Sequence, residues 1–281
     1  MLGSTIHIQN YPAFFISYDE PNADDNFKAI KSLVPNINRV HGIKGIHNAH
    51  KKCADQADDW FWTVDGDNYP LDQLQHAHVI LDNPKQLFCI HSFRTINDIT
   101  GLIYGNGSVK LWRKQFLNKV SHETTTDFFY NNSYWICSDI LAITKSASSD
   151  YHAFRSAYRE VAKLTLTPDG NLQSKLNLND LGDNGIRIKL WLTMGNHLQY
   201  GKFSLLGAHA ALTDFYINNK DILLINDYDR LLVIFEYWAG KNIPVENSEK
   251  LLNCKLPILD SKTSLFIRNC QFKPTYNGLM K

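Results

Sequence analysis

Residues 60–68 read Trp60-Phe61-Trp62-Thr63-Val64-Asp65-Gly66-Asp67-Asn68. Five residues of strand-forming type run straight into two carboxylates separated by a glycine. The apolar run reads as a buried strand. Two like charges at its end repel, and burial makes each harder to ionise. A cation between them removes the conflict.

The sequence before this stretch sets its context. Tyr11 to Tyr18 is a first apolar run that ends in the turn signal Asp19-Glu20-Pro21-Asn22. From Ala23 to Leu33 the spacing is helical, with Phe27, Ile30 and Leu33 on one face. Asn38 to His41 is a second strand, Gly42-Ile43-Lys44-Gly45 a tight loop, and Ile46 to Ala57 a second helix. Strand and helix thus alternate over residues 11–67. That order predicts an α/β fold with a Rossmann-type, mostly parallel sheet and helices on both faces.

Beyond Asp67 the pattern loosens. Ala77 to Leu81, Leu87 to Phe93 and Trp135 to Thr144 read as strands. Gly101 to Trp112 reads as a glycine-punctuated loop leading into an apolar stretch. Tyr151 to Leu164 is a helix with Phe154, Tyr158, Val161 and Leu164 on one side. Residues 166–183 are polar and turn-rich. Lys189 to Met194 and Phe203 to Tyr216 return to core-like composition, and residues 221–238 read as helix. No repeat or linker stands out. The expected organisation is one compact domain over residues 1–240 with a C-terminal extension, 241–281, packed on it.

An apolar content of 44% suits a globular core, and the net charge of +1 names no partner by itself. Its distribution says more. Residues 1–84 carry eleven Asp/Glu against six Lys/Arg, whereas residues 85–119 carry six Lys/Arg and the single acid Asp98. An acidic segment followed by a basic one suits a site that holds a cation beside an anion, and equally suits scattered surface charge. The five cysteines are odd in number and widely spaced, as expected of reduced thiols in an intracellular protein. No signal-peptide pattern and no apolar run of about 18 residues occurs, so a soluble, cytoplasmic protein with no membrane partner is expected.

In an open α/β sheet, ligands gather at the carboxyl ends of the strands. Asp19-Glu20 follows the first strand and Asp65-Gly66-Asp67 the third. In an extended Asp-x-Asp both side chains fall on one side, and Gly66 lets the backbone come close to a ligand. Mg²⁺ and Mn²⁺ favour such oxygen donors, often shared with substrate phosphates. A polar β-turn without a ligand is the plain alternative.

Three segments in this order, ISYDEPNADDNF (16–27), RVHGIKGIHNAHKKCA (39–54) and WFWTVDGDN (60–68), resemble nucleotide-sugar glycosyltransferases of the GT-A fold. Further matches are LIYGNGSVKLW (102–112), FRSAYREVAKL (154–164) and MGNHLQYGKFSLLGAHAALTDFY (194–216), so the resemblance spans roughly residues 10–216. More narrowly, it is similar to the phage branch that glycosylates modified DNA bases, related to the TET/JBP-associated glycosyltransferases. The resemblance implies a GT-A-like fold and a UDP-sugar donor. It also implies a Mn²⁺ or Mg²⁺ ion on Asp65 and Asp67, with His197 or His209 as third-ligand candidates. Ser17, Tyr18, Asp19 and Glu20 then meet the nucleoside, Lys44 meets phosphate, and His47 or His50 lines the donor site.

Glycosyl transfer needs a stabilised leaving diphosphate and, in an inverting enzyme, a carboxylate to take the acceptor's proton. Lys44 and Lys110 can offset phosphate charge. Gly105 and Gly107 would let the 101–108 loop approach the sugar, or simply form a turn. Glu160 is the candidate base and Asp139 the second. On a helix Arg155 and Arg159 share a face, with Glu160 about 100° further round from Arg159. Glu160 can equally pair with Lys163, three residues on. Eleven histidines without HExxH or a Cys-His cluster argue against zinc, and neither a Walker loop nor a GxSxG elbow occurs.

A DNA acceptor, implied by the resemblance, calls for basic and aromatic side chains. Phe93, Arg94, Tyr104, Trp112, Arg113 and Lys114 are one such set, with Arg155 and Arg159 as further phosphate contacts. Lys262, Arg268, Phe272, Lys273, Tyr276 and Lys281 are another. Ordinary core aromatics beside solvated cations explain them too. The expected reaction moves glucose or arabinose to 5-hydroxymethylcytosine in phage DNA, in the host-cell cytoplasm if phage-encoded. A transferase acting on a saccharide, lipid or protein, and a non-catalytic sugar-nucleotide or nucleic-acid binding module, are the competing classes.

Overall fold

The computed structural model describes residues 3–105, 109–117 and 134–272, the side chains of residues 116 and 269–272 excepted. The fold is mixed α/β. Its contacts divide the chain into two compact units, residues 1–97 with 103–145, and residues 98–102 with 146–281. The main division thus falls at 145/146 and not at 240/241. Residues beyond 240 are tied into the second unit by Ser248, which hydrogen-bonds His209, and by the buried Leu252 and Leu256.

The first unit is built on strands. Named in chain order they are β1 (Ser4–His7), β2 (Ala13–Ser17), β3 (Asn38–His41), β4 (Trp60–Asp65), β5 (Asn68–Pro70), β6 (His78–Leu81), β7 (Ile90–Asn97), β8 (Ile103–Tyr104), β9 (Lys110–Arg113) and β10 (Tyr134–Thr144). Three helices accompany them, α1 (Ala23–Leu33), α2 (Ile46–Ala54) and the short α3 (Lys114–Leu117). β1 and β6 form a separate antiparallel pair. The main sheet runs β3-β2-β4-β9-β7-β10-β5, with β8 on β7.

The expected βαβαβ half is present. β2 pairs in parallel with β3 and with β4, placing Ile16 opposite Asp65. Alternation sends successive side chains to opposite faces. Phe15, Trp60, Trp62 and Val64 pack with Ala23 and Ile30 of α1. Phe14, Ile16 and Phe61 pack with Ala49, Cys53 and Ala54 of α2. The WFWTV run is apolar except for Thr63, whose hydroxyl accepts from Trp112 Nε1, because both of its faces are covered.

The expectation of a mostly parallel sheet needs correction. β9 enters antiparallel between β4 and β7, β5 pairs antiparallel with β10, and β7 with β10 is the one further parallel pair among the described residues. Parallel neighbours need a long crossover, whereas only residues 98–109 separate β7 from β9, and β8 lies within them.

The second unit holds α4 (Asp150–Leu164), α5 (Asp183–Thr193), α6 (Gly201–Tyr216), α7 (Tyr228–Ala239), α8 (Val245–Leu252) and α9 (Ser261–Phe272). α6 is buried over most of its length. It meets α4 backbone to backbone: a Cβ on Gly207 would lie 2.2 Å from the Phe154 carbonyl oxygen. Among the described residues no helix is long and apolar enough to cross a membrane.

Buried histidines make stability depend on pH. Burial pushes His50 down to about 3, and His91 and His209 down to about 4, from 6.5. Their folded values lie below their unfolded ones, so on acidification the unfolded chain takes up these protons first. Stability is therefore full above pH 6.5 and falls as the pH drops toward 4, by up to about 1.4 kcal/mol per pH unit for each histidine. Denaturant midpoints measured at pH 7.5, 6 and 5 should decline steadily. A flat profile would show that these rings take up protons in the folded protein as readily as in the unfolded chain.

Candidate functional site

The carboxyl ends of β2, β3 and β4 share one rim with the end of β10 and the start of the antiparallel β9. β2 delivers the buried Ser17, then the exposed Tyr18 and Asp19 and the half-buried Glu20. The Ser17 hydroxyl accepts from Arg39 Nε at 2.9 Å and lies 3.0 Å from His41 Nδ1, both from β3. Arg39 also pairs with Asp24 at 2.6 Å. Glu20 turns back, its carboxylate accepting from the Tyr18 N–H at 2.8 Å.

The acidic pair is not extended. β4 ends at Asp65, and Gly66 with Asp67 forms a turn into β5. Strand alternation therefore does not set the two carboxylates; the turn and its hydrogen bonds do. The Gly66 carbonyl accepts from Asn26 Nδ2 at 2.9 Å, and the Asp67 carbonyl from the Lys145 N–H at 2.6 Å. The Asp67 carboxylate accepts from Asn68 Nδ2. Gly66 is required by space, because a Cβ there would stand 2.7 Å from Glu20 Oε2 and 2.9 Å from Ser17 Cβ.

One cation faces this turn from the sheet. Lys110 pairs across from Thr63 on β4, and its ammonium lies 3.9 Å from Asp65 Oδ2. Lys110 is 2% exposed and Asp65 33%. Burial raises the Asp65 carboxyl above its ordinary range, Lys110 opposes that shift, and Glu20 adds to it. Asp65 and Glu20 thus share the rim with the buried Lys110.

The donor set suits Mg²⁺ or Mn²⁺ in kind, since Asp65 and Asp67 offer hard oxygens. Among the described residues no group of three or more His, Cys, Asp or Glu side chains gathers to hold a metal ion. A magnesium-type ion bound through one or two carboxylates, with substrate phosphates and water completing its shell, needs no third protein ligand. His197 and His209 belong to the helical unit. Both ring nitrogens of His209 are engaged, Nε2 with the Leu192 carbonyl at 2.9 Å and Nδ1 with Ser248 Oγ at 2.8 Å, so it is a core histidine. His197 follows α5, half-buried, its pKa lowered by burial and by Arg268.

Of the residues read from the sequence, Asp65 lies near Lys110 and Glu20, with Ser17 and Glu20 packed over Gly66, while the Asp67 carboxylate is held by Asn68 and Tyr18 meets Glu20 through its backbone N–H. Asp19 and Lys44 lie exposed on the loops after β2 and β3. His50 is fully buried against Trp112, with ring centroids 4.7 Å apart, and so is a core residue and not part of an open donor surface. Gly105 is set close against Ile136 of β10, 3.0 Å from where its Cβ would be. Gly107 lies outside the described residues.

Asp139 sits in the irregular part of β10, five residues before the rim, about 16 Å back at the usual strand rise. Arg94 is inside β7, opposite Ile140. Arg113 marks the opposite end of β4, paired with Asp59 at 3.2 Å and over the Trp60 ring.

Of the expected nucleic-acid set, Arg94, Tyr104, Arg113 and Lys114 are half-buried. Phe93 and Trp112 are fully buried, and Lys114 donates to the Ala57 carbonyl. Of the second set, residues 273–281 and the Phe272 side chain lie outside the described residues.

Glu160, Arg155 and Arg159 belong to α4 of the helical unit. Glu160 lies 3.9 Å from Lys163, the plain alternative foreseen. Arg155 and Arg159 stack on Tyr228 at 4.5 and 5.1 Å, and Arg159 donates to the Ile225 carbonyl. These cations fasten α7 to α4.

Sequence reasoning missed Asn26, Arg39, His41 and Lys145. Arg39 and His41 were legible in principle, because NRVH ends a predicted strand on the ligand-bearing rim. Asn26 and Lys145 act through main-chain bonds to residues 40 and 78 positions away, which no local pattern reports.

No protein-family model matches the chain. Protein TIC 214 of Chaetosphaeridium globosum is 29% identical over 129 residues, 44% of this chain, and the chain covers 8% of that protein's length.

Proposed function

We propose that the chain is a metal-dependent glycosyltransferase that takes its sugar from a UDP-sugar. The observation that carries this reading is the acidic turn itself. Asp65 and Asp67, with Glu20 beside them and Lys110 behind, stand at the carboxyl ends of β2 and β4. β2 lies between β3 and β4, so the chain reverses its direction across the sheet there, which is where open α/β sheets hold nucleotides. The GT-A-like identity rests on this half-sheet and on the order of sequence segments.

In this reading Asp65 and Asp67 hold a Mn²⁺ or Mg²⁺ ion, which when bound neutralises the diphosphate. Lys110 supplies fixed positive charge at the same rim. Glu20, Ser17 and Tyr18 form the wall on the nucleoside side. The acceptor, a hydroxymethylated base in DNA, rests on the sequence resemblance alone.

A second reading is favoured by Lys110. Its buried ammonium already offsets part of the Asp65 charge, as a site that binds a sugar nucleotide without turnover would also require.

Incubation with Mn²⁺, UDP-glucose or UDP-arabinose, and plain or hydroxymethylated DNA separates these readings. Nucleoside mass spectrometry should show a hexose or pentose added to hydroxymethylcytosine only. UDP release without DNA modification would assign another acceptor. Tight UDP binding with no release would favour the binding module. No binding of any UDP-sugar would remove the proposal.

A further inference from the structure

We propose that Asn26 is a positioning residue for the acidic turn, presetting Asp65 and Asp67 through the carbonyl that lies between them. The inference rests on the reading of that turn as a cation site.

Asn26 occupies an inward position of α1, 3% exposed, in a face otherwise made by Ala23 and Ile30. A carboxamide there is a poor choice for the helix and for the core. Asparagine is neutral to unfavourable in helix interiors, and a buried amide costs free energy unless hydrogen-bonded. Its side chain makes one hydrogen bond among the described residues, from Nδ2 to the Gly66 carbonyl at 2.9 Å. That carbonyl belongs to the residue between the two aspartates.

The remainder of the turn is held in a matching way. The Asp67 carbonyl accepts from the Lys145 N–H at 2.6 Å. Asn22, one turn before Asn26 on the α1 side, donates through Nδ2 to the Lys145 carbonyl at 3.2 Å. Ser17 and the Glu20 carboxylate close the space over Gly66. A two-residue turn is otherwise a soft element, and two like charges at its ends would relax apart. With both carbonyls tied, the backbone that carries the two aspartates cannot shift without breaking one of these hydrogen bonds. Supports of this kind, one bond removed from the ligands, change metal affinity by about 10–100-fold.

The test is Mn²⁺ affinity of the folded protein, measured by calorimetry without substrate, together with hydrogen exchange of the peptide covering residues 62–70. Asn26→Ala should weaken Mn²⁺ binding at least about tenfold and speed exchange in that peptide, with far-UV circular dichroism unchanged. Asn26→Asp keeps the shape but sets a carboxylate oxygen against the Gly66 carbonyl. It should lose affinity at pH 7.5 and recover part of the loss, relative to the parent protein, at pH 5.5. There the protonated acid again has a hydrogen to donate. If Asn26→Ala does not fold, Asn26→Asp carries the test. A fall in melting temperature with Mn²⁺ affinity within twofold of the parent would make Asn26 merely structural and overturn the proposal. Asp65→Asn and Asp67→Asn are the controls. Affinity unchanged in both would remove the cation site itself, a separate failure.

Discussion

Asp67→Asn is expected to lower sugar transfer by at least about a hundredfold with little change in thermal stability. The substitution keeps the shape of the side chain and one oxygen able to accept from Asn68. It removes only the negative charge that a divalent ion would neutralise. Asp65→Asn should cost as much in turnover but more in stability, by about 1–2 kcal/mol. Lys110 then keeps a buried ammonium with one fewer negative neighbour, at a contact that is long and partly solvated. Released UDP and the denaturant midpoint, measured on the same preparations, check both statements. Near-normal turnover in both variants would end the metal role of the turn. A loss of turnover confined to Asp65→Asn would assign the rim chemistry to the Asp65–Lys110 pair instead.

The parallel half of the sheet was legible because its information is local. β2 and β4 are short, largely apolar runs, the helices between them show a 3.6-residue spacing, and turn residues punctuate them, whereas β1 and β3 carry a single buried apolar residue each. The return of the chain was not. VKLW read as an apolar stretch after a glycine-punctuated loop, with nothing local to show that it returns antiparallel beside β4 and sets Lys110 near Asp65.

The two-unit organisation was hidden for a different reason. The chain passes between units at 97/98, 102/103 and 145/146 without any linker composition. Within the second unit the backbone N–H and hydroxyl of Ser146 both bond to the Asp98 carboxylate, a contact across 48 residues that no local pattern reports. Pattern also misjudged arginines and aromatics. Arg155 and Arg159 sit on one helix face as read, but their partner is Tyr228, about seventy residues on. Phe93 and Trp112, read as stacking candidates, are core. Local sequence shows that a side chain is aromatic or charged, and only tertiary contacts show whether it is spent on the interior.

The helical unit has its own buried charge, and its removal should have the largest effect on folding. Asp214 on α6 is fully buried. Its carboxylate accepts from Tyr158 Oη at 3.0 Å, Lys220 Nζ at 2.9 Å, Trp238 Nε1 at 3.3 Å and Asn218 Nδ2 at 3.0 Å. It thereby joins α4, α6 and α7. Next to this charge, burial and Asp214 together hold the Tyr158 phenol well above its ordinary range.

Asp214→Ala leaves a phenol and an indole without an acceptor in the interior and is expected to cost about 4 kcal/mol. Lys220→Met removes a partner that is 31% exposed and should cost less, about 2–3 kcal/mol, because the buried carboxylate loses its counter-charge but keeps three donors. The ordering follows from which group is left behind. Asp214→Ala strands the Tyr158 and Trp238 donors in the core, whereas Lys220→Met leaves the buried carboxylate still accepting from Tyr158, Trp238 and Asn218. Urea unfolding followed by tryptophan fluorescence, with Trp191 and Trp238 both in this unit, gives the two costs directly. Equal costs would mean that the cluster draws its stability from the ion pair and not from the enclosed hydrogen bonds.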